Sequence, residues 1–264
     1  MCGIIIDMQP EQLAKEARKT VLGLIYKAQT SHIGSNFSCI DIMAVLFGRF
    51  FNWEKDRFIL SAGWKAASLY FFLWKAGRIT EKELNSYCQG GSKWIGLSEP
   101  IHPDIPFAGG SMGMGLPAAV GFALAKKLKK EEGRVYCLMS DGELQCGTTW
   151  EAALMALHYG LDNLTVVVDY NGFQAMGLTK EILGIPLKSL QEFFVLYHID
   201  GHDLVRAERS FNLIRALGQG GVPRMLIAHT IKGKGVSFME NNNLYHYKAP
   251  SKEEYELALK ELNG

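Results

Sequence analysis

"LMSDGELQCG", residues 138–147, closes an apolar run on Asp141-Gly142, and thirty residues after Asp141 a second run, "NLTVVVDYNGF" (163–173), closes around Asn171. Between them "TTWEAALMALHYG" (148–160) places Trp150, Ala153, Leu154 and Leu157 at i, i+3, i+4 and i+7, the stripe of a helix. A strand, a helix and a second strand make a right-handed crossover, so both strands end at the same edge of the sheet. That edge is where open α/β sheets bind ligands. A carboxylate and an amide oxygen converging there are hard donors suited to Mg2+ or Ca2+, with positions left for water and phosphate oxygens. The amides at the start of the helix, near Thr148, favour an anion at the same edge. The competing reading makes Asp141 and Asn171 ordinary turn residues that close strands.

The pattern repeats outward from this unit. Residues 11–29 read as a helix with Leu13, Ala17, Val21, Leu24 and Ile25 along one side. "SHIGSNFS" (31–38) interrupts, and "CIDIMAVLFGRFF" (39–51) resumes as a largely buried helix. "DRFILS" (56–61) is a short strand, and "WKAASLYFFLWKAG" (64–77) a helix ending on glycine. "TEKELNSYC" opens with Thr80 three residues before Glu83, a capping box. The stretch from Gln89 to Gly115 is rich in Gly, Pro and Ser, and a loop of that length in a compact domain is usually functional. "LPAAVGFALAKKLKK" (116–130) is a helix, "RVYCLM" (134–139) a strand, "LQEFFVLYHI" (190–199) mixed, "LVRAERSFNLIRALG" (204–218) a helix and "RMLIAHT" (224–230) a strand. Alternating strands and helices predict an α/β fold, a mainly parallel sheet with helices on both faces. Residues 1–264 are expected to form a single domain.

With 28 basic and 27 acidic residues the net charge is +1, which gives no reason to expect nucleic acid or an anionic membrane as partner. Cys2, Cys39, Cys88, Cys137 and Cys146 are scattered without a C-x-x-C pair, which argues against a zinc site or a disulfide framework. "MCGIIIDMQP" lacks the basic start of a signal peptide, and no apolar stretch approaches a membrane span. A soluble cytoplasmic protein is expected.

"SDGELQCGTTWEAA" followed by "NLTVVVDYNGF" resembles the thiamine-diphosphate motif, which usually begins Gly-Asp-Gly and closes on Asn. "DRFILSAGWKAASLY", "GGSMGMGLPAAVGFALA", "DGHD" and "IAHTIKGKGVSFMENNNLYHYKAP" are each similar to transketolase segments, in the same order, so the resemblance narrows to that family. It implies a thiamine-diphosphate-binding (pyrophosphate) domain, ending where the first of three transketolase domains ends. That in turn implies the N-terminal subunit of a split transketolase, with the pyrimidine-binding domain on a separate subunit in an α2β2 assembly. Such an enzyme moves a two-carbon ketol unit between sugar or sugar-phosphate substrates. The resemblance further implies that Asp141, Asn171 and the backbone carbonyl of Phe173 hold Mg2+ (or Ca2+). Gly142 would admit the diphosphate; Ser35, Gly110, Ser111, Met112, Lys232 and His246 would adjoin the cofactor; and His32 would contact substrate.

Several positions depart from the family pattern. Trp64 and Leu97 stand where the family has histidines, Met114 where it has glutamine, Cys146 where it has glutamate, and Ser140 where it has the first glycine. Leu97 can neither donate nor accept where an imidazole does both, so substrate preference is expected to differ. His102 is a candidate replacement, and Lys65 a candidate source of the charge that Trp64 lacks. Three alternatives remain open: a 2-oxo acid decarboxylase or dehydrogenase component, a non-catalytic transketolase-like partner, and, from "MCGI" alone, an N-terminal-nucleophile amidotransferase.

Overall fold

The computed structural model describes residues 8–216 and 220–264. "MCGI", with Cys2, and the final Leu217-Gly218 of the helix expected over 204–218 lie outside the described residues.

Helix α1 (Pro10–Ala28) is followed by α2 (Ile33–Val45), which runs without a break into a wider final turn, Leu46–Phe50. Strand β1 (Arg57–Leu60) leads to α3 (Ala66–Lys75) and α4 (Glu81–Asn85), the latter with the expected Thr80–Glu83 capping box. The long loop then reaches α5 (Gly115–Lys129) and β2 (Val135–Ser140). A 3-10 turn, Asp141–Gln145, separates β2 from α6 (Gly147–His158), which leads to β3 (Leu164–Tyr170) and a short α7 (Thr179–Ile182). "LQEFFVLYHI" divides between a 3-10 turn, Leu187–Glu192, and β4 (Val195–Asp200). Helix α8 (Leu204–Ala216), β5 (Arg224–His229) and α9 (Lys252–Asn263) complete the order.

Among the described residues the five strands lie β1-β2-β3-β5-β4, and every pair is parallel. Cys137, Met139, Val166 and Val168 pack on one face with Leu116 and Val120 of α5 and Ala153 of α6. Tyr136, Leu138, Val167 and Leu226 pack on the other with α1, α2, α3 and α8 residues. Burial on both sides accounts for the unbroken apolar runs of β2 and β3. Register pairs Ser140 with Asp169, so Asp141 and Asn171 emerge at the same edge from neighbouring strands.

The structure corrects four expectations. "SHIGSNFS" interrupts only at Ser31 and His32, which lie in the break between α1 and α2; Ile33 already begins the helix. Its polar residues are buried with partners inside the fold, Asn36 taking Ser68 N at 3.0 Å and Ser38 donating to Asp169 at 2.5 Å. Consequently Ile33–Phe50 is an 18-residue helix long and apolar enough to cross a membrane, but 94% of it is buried in the protein. On α6 the buried stripe is Thr149, Ala152, Ala153 and Ala156, while Leu154 is 57% exposed. Helix α9 was not anticipated, although Ser251 and Glu254 form a capping box at its start and Ala258 and Leu262 bury against the core.

Candidate functional site

At the C-terminal edge of the sheet lies a cavity of about 320 Å³. Its lining brings together Asp141, Gly142, Asn171 and Phe173 from the β2 and β3 ends with His32 and Ser35 from α2. Gly110 and Met112 enter from the long loop, and His246 from the segment after β5. Ser111 is exposed and outside this lining, and Lys232 stands one contact behind it. A 3-10 turn, Asp141–Gln145, separates the β2 end from the start of α6, where Thr148 Oγ1 donates to Gly113 O at 2.8 Å and ties that helix end to the long loop.

The long loop owes its position to close backbone contact. Gly63 N donates to Gly109 O at 2.7 Å and Ser98 N to Gly63 O at 3.0 Å. A Cβ on either Gly63 or Gly109 would collide with the other's backbone. This carries Leu97 to the cavity, 3.5 Å from where a Cβ on Gly110 would lie.

Asp141 accepts Gly142 N at 2.8 Å, Gly172 N at 2.7 Å and Thr179 Oγ1 at 3.1 Å. Its pKa is nonetheless raised to about 6, first by burial and then by the charge of Asp169. Asn171 donates Nδ2 to Asp169 at 3.2 Å, which fixes its amide so that Oδ1, already accepting Phe173 N at 3.1 Å, is the atom left to coordinate. Among the described residues no cluster of three or more His, Cys, Asp or Glu is placed to hold a metal. An ion here would rest on Asp141, the Asn171 amide oxygen and a backbone carbonyl, drawing its other ligands from water and phosphate. The donor set fits Mg2+ or Ca2+, and the raised Asp141 pKa marks a carboxylate that a cation would relieve. Gly142 leaves the floor open: a Cβ there would lie 3.1 Å from Met112 Cε and 3.2 Å from Gln174 Cδ.

Lys232 Nζ donates to Asn243 Oδ1 and to His246 Nδ1, each at 2.8 Å. A neutral His246 therefore carries its proton on Nε2. Ser31 Oγ lies 2.7 Å from His32 Nδ1, and the His32 and His246 rings meet edge-on at 4.9 Å. Burial and the Lys232 charge lower the His32 pKa to about 4; burial, Lys232 and His32 lower that of His246 to about 3. Both values fall below the unfolded 6.5, so the unfolded chain takes up more protons as pH drops. The two rings therefore take away stability as pH falls from 6.5 toward about 3, Asp141 with its pKa of about 6 offsets part of that loss, and His246→Gln is expected to flatten the decline. Proton NMR should find neither ring titrating above pH 5; a midpoint near 6.5 for either would contradict this.

The departures from the family pattern fall into two groups. Trp64, Leu97 and Ser140 line the cavity, Trp64 with its ring 6.4 Å from that of His32. Met114 and Cys146 do not; they cap α5 and α6. His102 does not replace Leu97, because it lies outside the lining, packs near Trp94 and accepts Asp104 N at 3.2 Å. Lys65 is not free to replace the charge at Trp64, because its ammonium is buried in an ion pair with Asp169. Burial opposes the charge of Asp169, but Lys65 and the Ser38 and Thr230 hydroxyls hold its carboxyl below the usual range. Sequence reasoning missed this pair, although an aspartate inside "VVVDY" was a signal. It also missed Glu143, buried with Ser61 Oγ, Ser140 N at 2.7 Å and Gly113 N at 3.2 Å, where the Ser-x-x-Glu spacing was the cue.

The sequence model described as "Transketolase, thiamine diphosphate binding domain" matches residues 10–263. An apulose-4-phosphate transketolase subunit of Actinobacillus succinogenes is 36% identical over 96% of this chain and 95% of its own length. The 6-deoxy-6-sulfo-D-fructose transketolase subunit SqwG of a Clostridium species is 32% identical over 97% and 96%. Human transketolase is 34% identical over 89% of this chain but only 39% of its own. The crystal structure of transketolase from Campylobacter jejuni superposes with a TM-score of 0.86 at 26% identity, over 97% of this chain and 43% of that one. The chain thus spans about two fifths of that solved transketolase and nearly all of the two relatives that are named as subunits.

Proposed function

Because the chain belongs to the transketolase family, through its thiamine-diphosphate-binding domain, we propose that it is the N-terminal subunit of a thiamine-diphosphate-dependent transketolase built from two kinds of chain. The reaction is transfer of a two-carbon ketol unit from a ketose donor to an aldose acceptor. The observation that carries this reading is the cavity uniting Asp141, Asn171 and Phe173 with His32 and the His246–Lys232 pair.

Bound thiamine diphosphate supplies the carbon nucleophile. This chain's residues supply the grip. Asp141 and Asn171 hold a divalent ion, Gly142 admits the diphosphate, and Lys232 keeps His246 in the tautomer whose Nε2–H donates. His32, neutral through burial, offers an uncharged imidazole to a substrate hydroxyl.

The partner is a separate subunit with the pyrimidine-binding domain, in an α2β2 assembly. Two relatives of matching length are themselves named as subunits. Leu154, Met155 and Leu157 of α6 and Tyr159 just after it are exposed, as are Ile182 and Leu183 near Gln145. That much exposed apolar surface suits a permanent interface. Cys39, Cys88, Cys137 and Cys146 are free thiols, which suits a cytoplasmic location. Co-purification with the product of the adjacent reading frame tests the assembly; failure of any pyrimidine-domain chain to bind would refute it.

Trp64 and Leu97 mark a substrate preference away from the usual pentose phosphates. Leu97 offers a methyl surface where a hydroxyl would lose its hydrogen bond, a mismatch worth about 1–3 kcal/mol or roughly ten- to two-hundred-fold in discrimination. Leu97→His is expected to shift kcat/KM toward xylulose 5-phosphate and ribose 5-phosphate within that range. A wild type that already prefers those sugars, unchanged by the histidine, would defeat the idea.

A further inference from the structure

The backbone on both sides of Lys232 is tied down. Lys232 O accepts Asn241 N at 2.8 Å, and Gly233 N donates to Gly34 O at 2.9 Å. Ile231 N donates to His202 Nε2 at 2.7 Å, and Arg18 Nε donates to Lys234 O at 2.9 Å. The lysine stem crosses α2 at Gly34, where a Cβ would lie 3.1 Å from Lys232 Cγ.

Two of those ties converge on one buried carboxylate. Arg18 of α1 grips Asp41 of α2 through both oxygens, at 2.9 and 2.6 Å, and His202 Nδ1 meets the same carboxylate at 2.6 Å. Since Nε2 must accept from Ile231, the ring is the Nδ1–H tautomer and that proton goes to Asp41. The "DGHD" segment is built to present this ring. Asp200 Oδ1 accepts His202 N at 2.9 Å, and Gly201 has no room for a Cβ against Thr230.

We propose that His202, held by Asp41 and Arg18, is a positioning residue: it fixes the Ile231–Lys234 segment and so places the Lys232 ammonium against His246 at the diphosphate site. The proposal rests on the thiamine-diphosphate reading of that site. None of the three clamp residues lines the cavity, so their effect reaches it through Lys232.

The test separates the two contacts of the ring. His202→Asn keeps a donor for Asp41 but loses the acceptor for Ile231 N, whereas His202→Gln can keep that acceptor. Affinity for thiamine diphosphate with Mg2+ is measured by calorimetry on the complex with the pyrimidine-domain subunit, for both variants, each alone and combined with Lys232→Met. His202→Asn is expected to weaken binding about tenfold, and His202→Gln by less than about threefold. Residues acting through a shared partner are non-additive, so His202→Asn should add nothing once Lys232 is methionine. If Lys232→Met leaves affinity unchanged, the reading of the site fails. If Lys232→Met weakens binding but His202→Asn is silent, or its effect adds in full, the clamp proposal alone is overturned.

Discussion

Asp141→Ala is expected to abolish metal-dependent binding of thiamine diphosphate in the assembled complex. The proposed ion has a single carboxylate ligand on this chain, and the neighbouring acid, Asp169, is committed to its buried ion pair with Lys65. Losing even an outer-shell partner of a metal ligand typically costs 10- to 100-fold, and losing the ligand itself should exceed about 100-fold. The fold should suffer far less. Alanine leaves Gly172 N and Thr179 Oγ1 without their acceptor, a cost on the order of 1–3 kcal/mol. It also removes a buried carboxylate that burial and Asp169 already disfavour in its charged form. The measurement is calorimetric titration of thiamine diphosphate at saturating Mg2+, with circular dichroism as the folding control. A folded variant that binds as tightly as wild type would remove Asp141 from the site.

The purified chain alone should show no ketol transfer, and addition of the pyrimidine-domain subunit should switch activity on from background. The cavity supplies diphosphate and metal groups, but its outer side is lined by exposed Met112 and Met176 and by Tyr247. Among the described residues Asp141 is the one acid in the lining, and on the proposed reading it is given to the ion, so no second acid of the lining is left to act on the cofactor. General acid–base assistance is worth about 10²–10⁴-fold by itself, and orientation of substrate across a completed interface adds to it. The assay uses each chain separately and then an equimolar mixture. Robust turnover by the first chain would refute the two-subunit reading, and silence of a verified mixture would favour a non-catalytic partner.

The neighbouring strand ends were legible because strand periodicity and crossover handedness are local rules. "LMSDGE" and "VVVDYNG" each state where a strand stops, and the handedness of the crossover puts both stops on one edge. Glu143 and Asp169 were visible as residues but not as structure, since their partners Ser61 and Lys65 lie far away in the chain.

By itself, then, the sequence determined the parallel α/β class, the family, and the edge at which His32, Ser35, Gly110, Met112, Asp141, Gly142, Asn171, Phe173 and His246 line one cavity, though not that Ser111 and Lys232 stand outside that lining. Only the tertiary structure decided that residues 33–38 of "SHIGSNFS" are helix, because the Asn36 and Ser38 side chains find Ser68 and Asp169 as partners inside the fold. Packing also set which face of α6 is inward: small side chains let the helix approach the sheet closely, and its leucines were left outside. Likewise Leu97 has no histidine behind it, His102 being committed to Asp104. The Arg18–Asp41–His202 clamp joins residues that are more than 180 positions apart. Hydrophobic periodicity reports that a side chain is buried; which partner satisfies a buried charge depends on distances that exist only once the chain has folded.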